Sequence, residues 1–528
     1  MKILVSDDLG EEGLKILRSE DGFNVDVKVG LSKDEIKKII GDYDALIVRS
    51  ATKVTEELLK EAKKLKVVGR AGIGLDNVDA QAATKRGIVV MNTPGGNVIT
   101  TAEHTIAMMM ALTRNIPTAT ALLKAGKWEK KKLEGRELFN KTLGLIGFGK
   151  IGSIVADRAR GLKMNVIIHD PFVSPEKIQN TGFESVTLQE LLKKADYITV
   201  HVPKLKSTTN LLNKEAFDQM KTGVMIINCA RGGIICEADL YEAMKSGKVA
   251  GAALDVFETE PPSKLPLFEL DKFICTPHLG ASTAEAQTNV AVAIANQIVD
   301  MLKNGTVINA VNMPSVTGET MAKLRPYLIL ADRIGYLQSE LYKGPIKEVV
   351  IEFSGDFKGL DLSPITTSVL KGLLTPIVKD DVNFVNAPII ASERGIKITE
   401  TTSYDTTHYN NLITVKLYTV DDQISTVGGT IFGKNDPRIV IINDFRLELV
   451  PFGHIALIQN EDKPGAIGSI GVTLGKHGIN IAKMQVGQEE KEGKRNIIFL
   501  HTDTEIPEHV ANELRSLSLI KTVTLVEL

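Results

Sequence analysis

Residues 142–170, TLGLIGFGKIGSIVADRARGLKMNVIIHD, contain the pattern that decides the fold of this chain. An apolar run is followed by glycines at positions 147, 149 and 152, then by a helical stretch and a second apolar run that ends at Asp170. Strand, glycine-rich turn, helix and strand in this order predict a Rossmann-type unit that binds a dinucleotide.

Each glycine has its own physical role in such a turn. Gly147 permits the tight turn, Gly149 lets the backbone approach a pyrophosphate, and Gly152 lets helix and strand pack closely. The helix N-terminus that follows supplies N–H donors and a partial positive charge for the phosphates. The alternative is that the glycines only shape a turn.

Asp170 lies at the end of the next strand, where a carboxylate accepts hydrogen bonds from the adenosine ribose. It would repel a 2′-phosphate, and Pro171 and Phe172 after it offer no arginine to offset that repulsion. The sequence therefore favours NAD over NADP as the cofactor. The alternative for Asp170 is a solvated strand end.

Strand and helix patterns alternate on both sides of this turn. Near-continuous apolar runs separated by helical stretches indicate parallel sheets that are covered on both faces. Long helices are predicted at about 100–124 and at 285–304, and the second could return the chain to the first unit. We expect two parallel-sheet units that face a cleft, with ligands at the carboxyl ends of the strands.

The character of the sequence changes near Met313. Residues 318–341 look helical, residues 345–450 mix strands with Gly-rich turns, and residues 453–528 follow the βαββαβ order of a ferredoxin-like sandwich. The predicted class is α/β: two Rossmann-like domains facing a cleft, then an α+β intervening domain and a ferredoxin-like domain. The expected bounds are 1–96 with 285–312 for the substrate-binding domain, 97–284 for the nucleotide-binding domain, 313–450 for the intervening domain and 451–528 for the last.

Composition narrows the class of protein further. The net charge of −2 gives no general attraction to nucleic acid or to an anionic membrane. Asp7 and Asp8 interrupt the first apolar run, and no apolar run approaches the ~20 residues needed to span a bilayer. The three cysteines have neither metal-ligand spacing nor an even number for pairing, so we expect no metal and a reducing, cytoplasmic compartment.

Three segments that follow strands place candidate catalytic residues at the same edge of the second sheet: NCARGG (228–233), AALDVFETEPP (252–262) and TPHLGAST (276–283). They contain one cation, one carboxylate and one imidazole, namely Arg231, Glu260 and His278. Removing a hydride from an alcohol needs a base for the hydroxyl proton, and histidine titrates in the right range. A carboxylate can orient the ring, and an arginine can hold a substrate carboxylate and polarise the developing carbonyl.

The alternatives for this trio are ordinary. An isolated histidine is usually structural, an arginine after a strand often forms a surface ion pair, and Glu260 before two prolines could be a loop residue.

These segments resemble the D-isomer-specific 2-hydroxyacid dehydrogenase family. LIVRSATKV (46–54), GRAGIGLDNVD (69–79), VMNTPGGN (90–97) and GKWEKKKLEG (126–135) are also similar to it, and the resemblance covers the whole chain. It is greatest to the long members, which add an intervening domain and an ACT domain. The resemblance implies NAD-dependent oxidation of 3-phospho-D-glycerate, the first step of the phosphorylated route to L-serine.

The resemblance also implies roles for single residues. His278 would be the acid–base, Glu260 its partner, and Arg231 the group that binds the substrate carboxylate. Val202 and Ile73 stand where relatives often carry a hydroxyl side chain, so only backbone or apolar contacts carry over there. The positions implied at the cofactor are Gly147, Gly149, Lys150, Ile151, Gly152, Asp170, Val202, Cys229, Ala230, Arg231, Asp255, His278, Leu279, Gly280, Ala281 and Ile73, with Asp255 near the nicotinamide amide.

The opposite wall would hold the substrate phosphate through residues that match the family's substrate segments: Arg49, Ser50, Arg70 and Asn97. Their alternative is strand-end ion pairing. Trp128, the only tryptophan, would reach the neighbouring subunit of a homodimer or homotetramer. Its alternative is packing within its own chain.

The segment NEDKPGAIGSIG (460–471) resembles the ACT domain, an amino-acid-sensing module. We expect Pro464 to open a helix, whose N-terminus would receive a carboxylate. Asn460, Asp462 and Asn480 would then hold the rest of an effector, with L-serine the natural end-product. Two other functions stay open: another D-2-hydroxyacid dehydrogenase, such as a glyoxylate or hydroxypyruvate reductase, and a non-enzymatic NAD-sensing regulator.

Overall fold

The computed structural model describes residues 1–314, 318–357, 359–378, 382–405, 408–488 and 495–528. Within those residues the chain forms four β-sheets. The first two are wholly parallel, the third is mixed, and the fourth is antiparallel. The predicted fold class is confirmed.

The first unit is built on a five-stranded sheet of order β2-β1-β3-β4-β5. Its central strands are short apolar runs buried on both faces, as a parallel sheet requires. Ser32 and Glu35 form a capping box that starts α2. The elements are β1 (Lys2–Val5), α1 (Glu11–Ser19), β2 (Asn24–Val27), α2 (Lys33–Ile39), β3 (Ala45–Val48), α3 (Glu56–Glu61), β4 (Val67–Arg70), α4 (Ala80–Lys85) and β5 (Val89–Met91).

Two helices, α5 (Val98–Thr113) and α6 (Ile116–Lys124), follow where one helix at 100–124 was predicted, so that prediction is wrong. The chain bends by 61° because Asn115 adopts a left-handed conformation and Pro117 cannot continue the preceding helix. Among the described residues no single helix is long and apolar enough to span a membrane, and this bent pair meets the test only by length and composition.

The nucleotide unit has seven parallel strands in the order β12-β11-β10-β9-β6-β7-β8. The chain runs outward from β6 in one direction and resumes at β9 on its other side, so β6 and β9 border a topological switch point, where open α/β sheets bind ligands. The elements are β6 (Thr142–Ile146), α7 (Lys150–Gly161), β7 (Asn165–His169), α8 (Pro175–Gln179), β8 (Glu184–Ser185), α9 (Leu188–Lys194), β9 (Tyr197–Val200), α10 (Lys214–Gln219), β10 (Val224–Asn228), α11 (Glu237–Lys245), β11 (Val249–Leu254) and β12 (Phe273–Cys275).

Helix α12 (Ala284–Asn304) returns the chain to the first unit, as predicted. Its buried face packs against α1 and β4, where Ala291 lies against Gly13 and Ile294 against Gly69. A Cβ on Gly13 would lie 2.7 Å from the carbonyl oxygen of Ala291, so this close packing depends on glycine.

The third unit places helices on a six-stranded sheet of order β14-β13-β15-β16-β17-β18. The helix predicted at 318–341 is confirmed as α13. Asn383 donates to the carbonyl of Gly87 (3.2 Å) and Lys85 pairs with Glu393 (2.8 Å), so this unit contacts the first one. The elements are α13 (Gly318–Leu341), β13 (Ile346–Gly355), α14 (Ser363–Leu374), α15 (Ala387–Glu393), β14 (Lys397–Ser403), β15 (Asn411–Thr419), β16 (Ile424–Phe432), β17 (Asp436–Ile442) and β18 (Phe445–Leu449).

The fourth unit has the predicted βαββαβ order, with strands arranged β20-β21-β19-β22. One sheet face is covered by its own two helices, and the other joins the core of the third unit. Pro464 does not open the first helix, because Gly465 has φ +97° and the helix begins at Ala466. The elements are β19 (His454–Glu461), α16 (Ala466–Lys476), β20 (Ile481–Gln488), β21 (Arg495–Thr502), α17 (Glu508–Arg515) and β22 (Ile520–Glu527).

Candidate active site

A cleft of about 440 Å³ lies between the first unit and the nucleotide unit, at the carboxyl ends of their strands. Both walls carry residues singled out from the sequence, so the predicted cleft is confirmed. The wall residues are Arg70, Ile73, Gly74, Leu75, Asp76, Asn97, Thr101, Ile151, His201, Val202, Pro203, Lys204, Cys229, Ala230, Arg231, His278, Gly280 and Ala281.

The glycine-rich turn has the geometry that its sequence predicts. Gly147 has φ +98°, and a Cβ on Gly152 would lie 2.0 Å from the carbonyl oxygen of Gly147. A Cβ on Gly149 would meet no atom within 4 Å, so the space in front of α7 is open. This open cradle at the N-terminus of a twelve-residue helix fits a dinucleotide pyrophosphate.

Asp170 is bound to the same turn. Its carboxylate accepts the backbone N–H of Phe148 at 2.7 Å and that of Phe172 at 2.8 Å. The side chain therefore holds the end of β7 to the glycine-rich turn, and it is not a freely solvated strand end.

His278 and Glu260 form the predicted pair. Nδ1 of His278 lies 2.7 Å from Oε2 of Glu260, whose other oxygen accepts the N–H of Phe257 at 3.1 Å. The hydrogen bond to Glu260 raises the pKa of His278 above its ordinary value, although burial acts in the opposite direction. Burial is the largest single effect and would raise the pKa of Glu260, but the hydrogen bond and charge of His278, together with the N–H of Phe257, outweigh it and the pKa is lowered. The pair thus favours a charged imidazole beside a carboxylate.

Asp255 holds the loop that carries His278. Its carbonyl accepts the backbone N–H of His278 (2.9 Å), and its carboxylate accepts those of Leu279 (2.7 Å) and Gly280 (2.8 Å). These bonds fix His278 in a left-handed conformation with φ +55°. Asp255 is fully buried and does not line the cleft wall itself, but it binds Gly280, which does, so its place near the nicotinamide stays a prediction.

Two further residues support Asp255 and were missed in the sequence. Thr276 donates to its carboxylate at 2.5 Å, and Nε2 of His104 lies 3.3 Å from it. Burial would raise the pKa of Asp255, but the hydrogen bonds from His104 and Thr276 lower it. A usable signal was present, because Thr101, His104 and Thr105 interrupt an otherwise apolar helix at helical spacing.

Arg231 reaches across the cleft to the first unit. Its Nε lies 3.1 Å from the carboxylate of Asp76, and its Nη1 donates to the carbonyl of Ala230 at 2.7 Å. Asp76 was not singled out from the sequence, although it lies within the quoted segment 69–79.

Arg70 is the half-buried cation of the opposite wall. Burial and the nearby Arg231 lower its pKa to about 10. Its Nε, and Oδ1 of Asn97 in the same wall, are buried without a hydrogen-bond partner among the described residues. Such groups are costly to leave unpaired, so this wall is suited to a polar ligand that brings an anionic group to the Arg70 donor.

Several predicted site residues lie outside the wall. Arg49 donates to the carbonyl of Asp8 at 3.1 Å and Ser50 is exposed, so neither lines the cleft wall, although the charge of Arg49 is near enough to lower the pKa of Arg70. Lys150 and Leu279 are also exposed. Trp128 is 82% exposed, which excludes packing within its own chain.

Two of the three predicted effector residues, Asn460 and Asp462, lie at the end of β19 and in the loop before α16. Asn480 lies at the opposite end of the sheet, so the structure does not bring it to the other two. Asn460 is buried, and its Oδ1 has no partner among the described residues. Asp462 is exposed, and Asn480 donates to the carboxylate of Asp503 at 2.6 Å. Asn480 precedes β20 and is not part of that strand.

Family profiles match three parts of the chain. Residues 106–280 match the D-isomer specific 2-hydroxyacid dehydrogenase NAD binding domain. Residues 323–443 match the D-3-phosphoglycerate dehydrogenase intervening domain, and residues 454–519 match the ACT domain. Fold, site and profiles together define an NAD-dependent 2-hydroxyacid dehydrogenase.

Full-length relatives identify the family within that class. The D-3-phosphoglycerate dehydrogenase of Archaeoglobus fulgidus is 45% identical, with all of both chains covered. That of Bacillus subtilis is also 45% identical and covers 100% of this chain and 99% of its own. The chain belongs to the D-3-phosphoglycerate dehydrogenase family.

Solved structures resemble the first two units. An apo D-lactate dehydrogenase from Escherichia coli is 30% identical and covers 59% of this chain and 100% of its own, with a TM-score of 0.52. A D-lactate dehydrogenase from Aquifex aeolicus, complexed with NAD and lactic acid, is 28% identical and covers 60% and 100%, with a TM-score of 0.53.

Proposed function

We propose that this protein oxidises 3-phospho-D-glycerate to 3-phosphohydroxypyruvate with NAD, the first step of the phosphorylated route to L-serine. One observation carries the proposal: His278, paired with Glu260, and Arg231 lie on one wall of the cleft, and the half-buried cation Arg70 lies on the other. A ligand with a hydroxyl, a carboxylate and a phosphate suits such a cleft, and full-length relatives carry the name of this reaction.

In the proposed mechanism Arg231 holds the substrate carboxylate, and Arg70 and Asn97 contribute to binding the phosphate. Nδ1 of His278 is engaged by Glu260, so Nε2 takes the hydroxyl proton as the O–H bond breaks. When bound, NAD would supply the acceptor for the hydride that leaves C2 as the C2–O double bond forms. Glu260 stabilises the imidazolium that results, and Asp255 keeps the ring in position through its loop.

For the cofactor, Gly147, Gly149 and Gly152 would form the pyrophosphate cradle, with backbone N–H groups of Lys150 and Ile151 as donors. Asp170 would accept hydrogen bonds from the ribose hydroxyls through the lone pairs that its two backbone hydrogen bonds leave unused. Cys229, Ala230, Val202 and Ile73 would line the nicotinamide end, with Gly280 and Ala281 beside it.

The test is a substrate panel with the purified full chain, following NADH formation at 340 nm. The proposal requires 3-phosphoglycerate with NAD to exceed both 3-phosphoglycerate with NADP and unphosphorylated D-glycerate with NAD. Greater activity on glyoxylate or hydroxypyruvate would favour the other reductases. NAD binding without turnover of any 2-hydroxy acid would favour a regulator.

The ACT domain suits a small-molecule effector, and we expect L-serine. Its carboxylate would face the start of α16, and Asn460, with its unpartnered Oδ1, and Asp462 would bind the amino group. Serine can only inhibit if it binds two arrangements of the protein unequally. Calorimetry and rate measurements with serine test this. Asp462→Ala should abolish the response, whereas Asp503→Ala, which removes the partner of Asn480 at the opposite end of the sheet, should leave it unchanged.

We also expect a homodimer or homotetramer in the cytoplasm. Trp128, exposed on an arm beyond α6, would reach a second subunit.

A further inference from the structure

Arg231 and Asp76 come from different units and meet across the cleft. Arg231 follows β10 in the nucleotide unit, and Asp76 lies between β4 and α4 in the first unit. Their 3.1 Å ion pair therefore links the two walls at the residue proposed to hold the substrate carboxylate.

The edge of the Arg231 guanidinium that contains Nε is already engaged by a carboxylate of the described residues. An arginine binds a carboxylate bidentately through two N–H groups on one edge. Nε faces Asp76, Nη1 donates to the carbonyl of Ala230, and Nη2 lies where a Cβ on Gly74 would come within 2.1 Å. The edge formed by Nε and Nη2 is therefore directed at the Gly74–Asp76 loop.

Asp76 is negatively charged and its side chain is exposed, as a group that exchanges with a ligand carboxylate at Arg231 must be. Its negative charge opposes the lowering of the Arg70 pKa that burial and Arg231 cause, so it serves both cations of the cleft. Its side chain is 67% exposed, whereas that of Arg231 is 29% exposed. Asp76 can therefore turn into solvent at small desolvation cost while Arg231 stays in the wall.

We propose that Asp76 and the substrate carboxylate compete for the same edge of Arg231, so that binding exchanges one carboxylate for another. This rests on the proposed role of Arg231 as the carboxylate-binding residue. Asp76 thus sets the affinity for every 2-hydroxy or 2-oxo acid by the same factor, because each must displace it. The exchange keeps the charge beside Arg231 and Arg70 unchanged.

The experiment compares the wild type with Asp76→Asn and with Asp42→Asn, a control that removes an exposed carboxylate of the same unit remote from the cleft. Two readouts are used: reduction of 3-phosphohydroxypyruvate and of hydroxypyruvate by NADH, and calorimetric titration of the NADH-loaded protein with oxalate. Asp76→Asn should lower both KM values and the oxalate Kd by about fivefold, the upper range for a partly exposed ion pair. The kcat values should stay within about twofold, since the exchange is complete before chemistry.

Three results would overturn the proposal. A higher KM with lower kcat would mean that Asp76 orients Arg231. A much larger gain for the phosphorylated acid would mean a long-range charge effect, which grows with substrate charge. Unchanged oxalate affinity would mean no competition. If the wild type reduces neither oxo acid, the proposed function fails, and the oxalate titration still decides the role of Asp76.

Discussion

Oε2 of Glu260 lies 2.7 Å from Nδ1 of His278, which leaves Nε2 as the ring nitrogen for proton exchange with a substrate. The carboxylate stabilises the protonated ring, so the pKa of His278 is raised. A base must be neutral to accept a proton, and oxidation should therefore increase as pH rises through a value above the ordinary imidazole pKa of about 6.5. Reduction, which needs the protonated ring, should fall over the same range.

Glu260→Gln should move this pH profile to lower pH, because the amide no longer stabilises the imidazolium. The measurement is kcat/KM for oxidation against pH, and Glu269→Gln, an exposed glutamate outside the cleft wall, is the matched control. An unmoved profile would show that Glu260 does not set the titration of the base.

Replacing the base should reduce turnover without removing the cofactor. His278→Asn is the suitable change, since asparagine tolerates the left-handed backbone at this position. The kcat should fall by roughly 10²–10⁴-fold, the usual contribution of general acid–base catalysis. NAD affinity, measured by calorimetry, should stay near that of the wild type, as should the activity of His408→Gln, an exposed histidine of the third unit. Retention of most turnover would contradict the assignment.

Alanine substitutions at two glycines of the same turn should affect different properties, one NAD binding and the other stability. The Cβ that Gly149→Ala adds would meet no described atom within 4 Å, so the melting temperature should stay unchanged. The Kd for NAD should rise about tenfold, an effect comparable to the loss of one hydrogen bond. Gly152→Ala would press a Cβ onto the Gly147 carbonyl and should cost about 1–3 kcal/mol of stability. Thermal melts and calorimetry on both variants check this, and equal loss of stability in the two would refute it.

Asp170 should control both cofactor choice and the shape of the turn. Asp170→Ala removes the repulsion of a 2′-phosphate, so the ratio of kcat/KM for NADP to that for NAD should rise. It also removes the acceptor of the Phe148 N–H, so NAD itself should bind less tightly. Asp157→Asn, on the exposed face of α7, serves as the control. A wild type that already prefers NADP would contradict the prediction that Asp170 favours NAD.

Trp128 should contribute to subunit association. Burying so exposed an aromatic side chain often provides ~2 kcal/mol, so Trp128→Ala should raise the subunit dissociation constant roughly 30-fold. Sedimentation at low protein concentration measures this. Phe172→Ala, which removes another highly exposed aromatic ring, should have no such effect. Unchanged association in Trp128→Ala would place the subunit contact elsewhere.

Local signals predicted much of this molecule. The turn at Gly147 and the trio of Arg231, Glu260 and His278 follow apolar strands directly, and strand ends of a parallel sheet meet at one edge. The break at Asn115 had a local signal too, since Pro117 follows it closely, but the continuous apolar pattern masked that signal.

Relationships between distant segments were not predictable in this way. Arg49 follows β3 and Arg70 ends the neighbouring strand β4, yet only Arg70 lines the cleft, since the guanidinium of Arg49 is bound to the carbonyl of Asp8. The Arg231–Asp76 pair depends on how two separately folded sheets meet. Burial of Asp255 under its own loop likewise could not be read from its position after a strand.

Helix α12 has a mechanical consequence. It begins six residues after His278, runs for about 30 Å and is packed along α1 and β4. The loop that carries His278 therefore continues directly into a helix that packs in the first unit. A rotation of the first unit relative to the nucleotide unit would move that helix with it. If this rotation limits the release of product, replacing the hydrogen on C2 of the substrate with deuterium should have unequal effects on two rates. It should slow a single turnover, measured by stopped flow, far more than it slows steady-state turnover.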